Sequence, residues 1–107
     1  MGHVLILDSD SAHAAELAHG LQAASCRTTV CLDRQQAIDI SRAQQVDIVV
    51  LVPASSSQWR TDTESYCKAV REIENPPLIM CVLHGPSKGP SDRLYGDQLG
   101  VRVLHEE

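Results

Sequence analysis

The stretch Asp47-Ile48-Val49-Val50-Leu51-Val52-Pro53 contains the most strongly apolar short run of the sequence. Its five central residues are all Ile, Val or Leu, and a proline follows them directly. A short apolar run between polar and turn-forming residues is typical of a strand that is buried on both faces. Since such strands lie inside parallel sheets covered by helices, this segment predicts an α/β fold.

Outward from this segment, predicted strands and helices alternate along the chain. Apolar runs predict strands at Val4–Leu7, Asp47–Val52, Leu78–Leu83 and Val101–Leu104, and the segment Arg27–Leu32, rich in Thr and Val, predicts another. Apolar residues at helical spacing predict helices around Ala14–Leu21, at Arg34–Gln44 and at Trp59–Glu74, and a short helix is expected at Ser91–Leu99. This alternation predicts one domain over residues 1–107, with a doubly wound, flavodoxin-like parallel sheet of five strands. An active crevice is expected at the carboxyl ends of the strands.

Composition excludes several classes of function. The chain of 107 residues has a formal charge of -5, and its nine Lys and Arg residues are scattered. A nucleic-acid site needs clustered basic residues, so we expect no direct binding of nucleic acid. No apolar run has the length of a membrane span, and the start of the chain lacks the features of a signal peptide. A cytoplasmic protein without membrane contact is therefore expected.

The cysteines and histidines predict no metal or catalytic site. Cys26, Cys31, Cys67 and Cys81 do not have the spacing of a CxxC or zinc motif. We expect them to be small, reduced residues of the core, with a disulfide or metal site as the alternative. Similarly, the histidines are expected to be solvated or locally bonded, and no cofactor is expected.

Four segments, in this order and spacing, resemble response-regulator receiver domains over nearly the whole chain. They are Val4–Asp10, Asp47–Leu51, Pro77–Val82 and Leu99–Val101. The resemblance implies a CheY-like fold and a role in two-component signal transduction. In that family an acidic pair after the first strand holds Mg²⁺, and the third strand ends in the aspartate that is phosphorylated. A Ser or Thr follows the fourth strand, and a Lys follows the fifth.

The family's diagnostic positions are changed in this chain. The phosphoacceptor position is Val52, which has no nucleophilic oxygen. The acidic pair is Asp8 and Ser9, so one carboxylate is replaced by a hydroxyl. Asp10 matches a third acidic position, but it also suits the N-cap of a helix. The switch position is Val82, which cannot donate a hydrogen bond to a phosphoryl group. These changes predict a degenerate receiver, or pseudo-receiver, that binds no metal.

The end of the chain also departs from the family. The lysine position falls in the segment His105-Glu106-Glu107, which contains no lysine. Receivers carry a fifth helix after the last strand, and here it is expected to be missing or truncated. Without it, part of one sheet face would be bare. Either an output domain continues beyond Glu107, or a partner covers this face.

These observations predict a signalling module that is not an enzyme and has no catalytic residue. It would act independently of phosphorylation, through a protein partner or as a homodimer. By the resemblance, Leu94, Tyr95 and Arg102 are the candidate interface, because the fourth helix and last strand of receivers contact partners. An exposed tyrosine beside an arginine is typical of a binding hot spot, and ordinary packing is the alternative.

Two other interpretations remain open at this point. Val52, Val82 and Trp59 would make the former phosphorylation crevice apolar, which suits a sensor of small molecules. In the second interpretation the alignment is shifted and Asp47 is the phosphoacceptor. Asp47 starts its predicted strand, however, and therefore lies at the opposite end of the sheet from the crevice.

Overall fold

The computed structural model describes residues 2–53, 59–73, 75–84 and 91–106. Within these ranges the elements are β1 (His3–Asp8), α1 (Ser11–Ala23), β2 (Arg27–Cys31), α2 (Arg34–Ala43), β3 (Ile48–Val52), α3 (Trp59–Arg71), β4 (Leu78–His84), α4 (Ser91–Leu99) and β5 (Arg102–Glu106). All strand pairs are parallel, and the order in the sheet is β2-β1-β3-β4-β5. The predicted five-stranded, doubly wound sheet is confirmed, with β3 at its centre.

Aspartates define the starts of α1 and α2. The Asp10 carboxylate accepts hydrogen bonds from the backbone N–H groups of Ala12 at 3.1 Å and His13 at 3.2 Å. Asp33 does the same for the N–H of Gln36 at 2.8 Å. These bonds satisfy backbone donors that have no partner within the helix. Both helices therefore begin directly after the strands that precede them.

Two glycines shape the connection from α4 to β5. Gly100 has a φ of +74° and terminates the helix, as the sequence predicts. The backbone N–H of Val101 then donates to the Gly96 carbonyl at 2.8 Å. A Cβ atom on Gly96 would lie 2.6 Å from Cγ2 of Val103 and 2.8 Å from the Val101 carbonyl oxygen. Hence α4 approaches β5 so closely that this position has no room for a side chain.

One face of the sheet is covered by α2, α3 and α4. The cluster beneath α2 and α3 includes Leu5, Leu7, Cys31, Ala37, Ile38, Val46, Val49, Leu51, Tyr66 and Val70. A second cluster, which we call the α3–α4 cluster, contains Trp59, Cys67, Cys81, Leu83 and Val101, with Tyr95 and Leu99 at its margin. Alternate residues of each strand supply this face, as expected for a pleated sheet. Together the two clusters bury most of the face.

The other face is only partly covered. Helix α1 packs on it through a cluster that we call the α1 cluster: Val4, Ile6, Ala14, Ala18, Val50, Val52 and Val82. Beyond this cluster lies an incompletely covered set of apolar residues, the β4–β5 patch, which consists of Leu78, Met80 and Leu104. Leu78 is 72% exposed and Leu104 is 45% exposed. These residues and Arg102 line a groove of about 720 Å³. Part of this sheet face is therefore exposed among the described residues.

Three of the four cysteines lie in the core as the sequence predicts, and the fourth does not. Cys31, Cys67 and Cys81 are buried as reduced thiols, and Cys26 is partly exposed. Burial raises the pKa of the Cys31 thiol, with a smaller contribution from Asp33, and burial is also the main cause of the raised pKa of Cys67. These thiols therefore act as small core residues. None of the described helices combines the length and hydrophobicity needed to cross a membrane.

Candidate functional site

The candidate site lies where β1 and β3 end side by side. In the parallel register, Asp8 at the end of β1 pairs with Val52 at the end of β3. Asp8 is buried, whereas Ser9 and Asp10 are exposed. The Asp10 carboxylate caps α1, as the sequence analysis considered. The structure therefore brings Asp8 and Val52 together and directs the Asp10 side chain toward the helix backbone.

Both carboxylate oxygens of Asp8 have a partner. Oδ1 accepts the backbone N–H of Asp10 at 2.9 Å. Oδ2 lies 2.5 Å from Nδ1 of His13, the third residue of α1. The side chains of Asp8 and His13 are only 3% and 12% exposed. We call this contact the His13–Asp8 pair; it joins the end of strand β1 to the first turn of α1.

Valines complete the site on the sheet side. Val52 and Val82 are both buried and belong to the α1 cluster, together with Ala14 and Ala18 of the helix. Since neither valine has a polar side-chain atom, neither position can accept a phosphoryl group or bind one through a hydrogen bond. The apolar core of this sheet face therefore extends to the place where a phosphorylation crevice would open.

The side chains present do not fit a magnesium ion. Mg²⁺ prefers six oxygen ligands in octahedral geometry, commonly from carboxylates, phosphate and water. Here the Asp8 carboxylate is engaged, Ser9 supplies only an exposed hydroxyl, and Val52 supplies no oxygen. Among the described residues, no group of three or more His, Cys, Asp or Glu side chains is arranged to hold a metal.

The predicted apolar ligand pocket is not formed as expected. Trp59 is buried in the α3–α4 cluster, whereas Val52 and Val82 lie in the α1 cluster on the opposite sheet face. A cavity of about 320 Å³ adjoins Val52, but its described lining includes Ser9, Asp33 and Asp62 and neither Val82 nor Trp59. The interpretation that these three residues line one pocket was wrong, because the sheet separates them.

Asp47 occupies a structural position far from this site. Its Oδ2 accepts the backbone N–H of His3 at 2.8 Å, and its own backbone N–H donates to the His3 carbonyl at 2.9 Å. These contacts lie at the amino end of β1, whereas Asp8 ends that strand at the other edge of the sheet. Asp47 therefore ties the starts of two strands together.

The three residues of the predicted interface have different environments. Leu94 is 59% exposed on α4, and Arg102 is exposed on β5, in the lining of the groove at the β4–β5 patch. Tyr95 is partly buried, and its ring meets the Trp59 ring edge to face, with centroids 5.6 Å apart. The arginine over the Tyr95 ring is Arg60, at 4.9 Å, rather than the expected Arg102.

Tyr95 also links α4 to α3 through its hydroxyl. The Tyr95 O–H is 3.1 Å from Oε2 of Glu64 and 3.3 Å from the Arg60 carbonyl oxygen. The hydrogen bond from Tyr95, followed by the contact with Lys68, lowers the pKa of Glu64. Desolvation and the bond to Glu64 raise the pKa of Tyr95. The aromatic ring thus stabilises the α3–α4 packing, and the exposed part of the predicted interface is Leu94 and Arg102.

His13 is the residue of this site that sequence reasoning missed. Its signal is local: Asp10 is the N-cap, so His13 is the third helical residue, a position whose side chain reaches back toward the cap. Because α1 starts only a few residues after β1 ends, a side chain in the first turn of the helix lies close to the last side chain of the strand. The residues at the family's lysine position, His105, Glu106 and Glu107, have side chains outside the described part of the structure.

Comparisons with known proteins identify the fold. No protein-family model matches the sequence, and no curated protein matches it significantly. Solved structures do match: a response regulator from Thermotoga maritima has a TM-score of 0.80 at 10% identity, covering 99% of this chain and 85% of that one. The receiver domain of Francisella response regulator 1452 has a TM-score of 0.77 at 18% identity, covering 99% and 84%.

A third match is a receiver domain seen with a partner. It is the receiver domain of Saccharomyces cerevisiae Ssk1, crystallised with the histidine phosphotransfer protein Ypd1. Its TM-score is 0.74 at 16% identity, covering 98% of this chain and 78% of that one. At such low identities the matches show the fold alone, and that fold is the CheY-like α/β fold of response-regulator receiver domains.

Proposed function

We propose that this chain is a receiver-like signalling module that cannot be phosphorylated and acts through contacts with protein. The observation that carries the proposal is Val52. It occupies the end of β3, in register with Asp8, and it is buried in the α1 cluster. A side chain without an oxygen at this position removes the nucleophile on which phosphoryl transfer depends.

The rest of the site supports the same proposal. Val82 is packed in the same apolar cluster, and the remaining carboxylate, Asp8, is occupied by His13 and the Asp10 backbone. We infer a module that is not an enzyme, uses no cofactor and works in the cytoplasm as part of a regulatory protein. A module of this kind signals through a fixed conformation or through an equilibrium that a partner shifts.

A phosphodonor experiment tests the first half of the proposal. The protein is incubated with acetyl phosphate and Mg²⁺, and its intact mass is followed with and without hydroxylamine, which cleaves acyl phosphates. We expect no hydroxylamine-labile phosphoryl group on the natural chain. Its appearance would refute the proposal, and Asp47→Asn in parallel shows whether Asp47 carries it.

A matched pair of leucines tests the second half. Leu94 on α4 and Leu32 after β2 are 59% and 55% exposed. Replacing either leucine by Asp should therefore cause a similarly small loss of stability. Light scattering over a range of protein concentrations measures self-association. We expect Leu94→Asp to weaken association at least tenfold and Leu32→Asp to leave it unchanged.

The outcomes of this comparison are distinct. An equal effect of both substitutions would remove the specific role of α4. A natural chain that stays monomeric at all concentrations would exclude the homodimer and leave a different protein as the partner. The Ssk1 receiver domain, crystallised with Ypd1, shows that another protein of this fold is recognised by a protein partner.

Sensing of a small molecule has less support. The cavity beside Val52 has a volume of about 320 Å³, at the lower limit for ligand pockets, and two carboxylates contribute to its described lining. The lining also includes Arg34 and apolar side chains such as Leu7, Leu51 and Val52, so it is mixed rather than the apolar crevice expected from the sequence. A rise in melting temperature with a neutral or cationic metabolite, lost in Asp62→Asn, would favour this second function.

A further inference from the structure

We propose that His13 takes the place of a bound cation as the internal partner of Asp8, and so closes the site to divalent metals. The inference concerns the His13–Asp8 pair alone and does not require the proposed role in protein contacts. It starts from the distance of 2.5 Å between Nδ1 of His13 and Oδ2 of Asp8. An ionised carboxylate only accepts hydrogen bonds, so Nδ1–H of His13 is the donor.

Burial makes such a partner necessary. The Asp8 side chain is 3% exposed, and Val4 and Ile6, which precede it on the same side of β1, belong to the apolar α1 cluster. A buried carboxylate without a partner is strongly destabilised. In a site that binds metal the ion offsets this penalty. Here the backbone N–H of Asp10 and the imidazole of His13 do so.

The same geometry opposes a metal. A magnesium ion lies about 2.0–2.1 Å from the oxygen atoms that bind it. Because a ring nitrogen lies 2.5 Å from Oδ2 and the Asp10 N–H lies 2.9 Å from Oδ1, a cation at Asp8 would have to displace His13. Neither Ser9 nor Val52 supplies a second carboxylate to offset that loss. The pair also holds the first turn of α1 against the sheet, in the absence of any ion.

Paramagnetic broadening by Mn²⁺ tests the proposal directly. Amide resonances of the natural chain, His13→Ala and His19→Ala are recorded during titration with MnCl₂. His19 is an exposed histidine of the same helix and controls for loss of a surface imidazole. We expect the amides of Asp8 to Asp10 to broaden in His13→Ala at concentrations at least tenfold below those needed in the other two proteins. Equal titrations of all three would overturn the proposal.

A second measurement examines the pair without any metal. With ¹⁵N-labelled histidine, the short contact predicts a strongly downfield ring N–H proton of His13 that disappears in Asp8→Asn and persists in His19→Ala. Asp8→Asn and His13→Ala should each raise the unfolding equilibrium constant about tenfold or more, and the double variant should raise it little further. Additive effects, or a ring proton that persists in Asp8→Asn, would show that the two side chains are not coupled.

Discussion

Two halves of the same sheet face differ in how far their apolar residues are buried. Under α1, Val52 at the end of β3 and Val82 within β4 are packed with Ala14 and Ala18. A few residues away, the β4–β5 patch leaves Leu78 and Leu104 in contact with solvent. Both halves are made of aliphatic side chains on parallel strands, so composition alone does not distinguish them. The two halves differ because α1 covers the first and not the second.

The comparison separates two effects of an apolar side chain. In the covered half, Val52 contributes to stability where a receiver would need a reactive carboxylate. In the uncovered half, the β4–β5 patch contributes little to the stability of this chain, and contiguous exposed apolar residues are typical of interaction surfaces. Substitutions on the two halves should therefore have effects of very different size.

The largest expected effect comes from restoring a carboxylate under α1. Val52→Asp places a second carboxylate beside Asp8 in an apolar cluster and should lower the free energy of unfolding by about 3–5 kcal/mol. Leu104→Asp, in the uncovered half, should lower it by less than about 1 kcal/mol. Urea denaturation measures both. Val52→Asn, which adds no charge, should recover part of the loss; similar values for Val52→Asp and Leu104→Asp would contradict the distinction between the halves.

An intermediate effect is expected on the opposite face of the sheet, where α4 packs against β5. Gly96→Ala places a methyl group 2.6 Å from a methyl of Val103 and should lower the free energy of unfolding by about 1–3 kcal/mol. Gly20→Ala is the matched control in α1, where nothing lies within 4 Å of the new Cβ, and it should stabilise by about 0.5–1 kcal/mol. Thermal denaturation shows whether each substitution raises or lowers the melting temperature. Partial rescue of Gly96→Ala by Val103→Ala would confirm the cause, and a neutral Gly96→Ala would mean that α4 can move away.

The smallest effect concerns the hydrogen bond that joins α4 to α3. Tyr95→Phe removes the donor to Glu64 and should give the smallest decrease in the free energy of unfolding among these substitutions at pH 7. It should also raise the pKa of Glu64, which this bond lowers. A lowered pKa in the folded state gives stability that is present above the unfolded value, about 4.3, and is lost as the pH falls through the folded value.

Two measurements check this prediction. The Glu64 pKa is read from a side-chain carboxyl NMR titration, and the difference in stability between the natural chain and Tyr95→Phe is followed from pH 7 to pH 3. That difference should shrink toward low pH. Lys68→Ala, which removes the next two causes of the shift, should also raise the Glu64 pKa. A Glu64 pKa that is unchanged in Tyr95→Phe would show that the hydrogen bond does not cause the shift.

The sequence predicted the elements well because each is encoded locally. Short aliphatic runs gave four of the strands and a segment rich in Thr and Val gave β2, while Asp10, Asp33 and Gly100 marked helix ends through backbone hydrogen bonds or a positive φ. Boundaries shifted where tertiary contacts decide them. Predicted to start at Val101, β5 begins at Arg102, because the Val101 N–H still bonds to the Gly96 carbonyl of α4. Similarly, α3 ends at Arg71 rather than Glu74.

The candidate site was predicted only in part. The register of parallel strands brings Asp8 beside Val52, and the resemblance to receiver domains was sufficient to anticipate this. The partner of Asp8 depends on where α1 starts and how it lies on the sheet, so His13 was not identified. Likewise, the ring of Tyr95 is covered by Arg60 of α3 because α3 and α4 pack together, which spacing along the chain does not reveal.

The buried thiols can report how often the core of the folded protein becomes accessible to solvent. Thiol reagents react with accessible thiolates, and burial raises the pKa of Cys31 and Cys67 and shields them together with Cys81. Cys26, at the turn before β2, is the partly exposed member of the four. Brief treatment of the folded protein with a maleimide should therefore label Cys26 first. The slower modification of the other three would then measure how often the core becomes accessible, without any engineered probe.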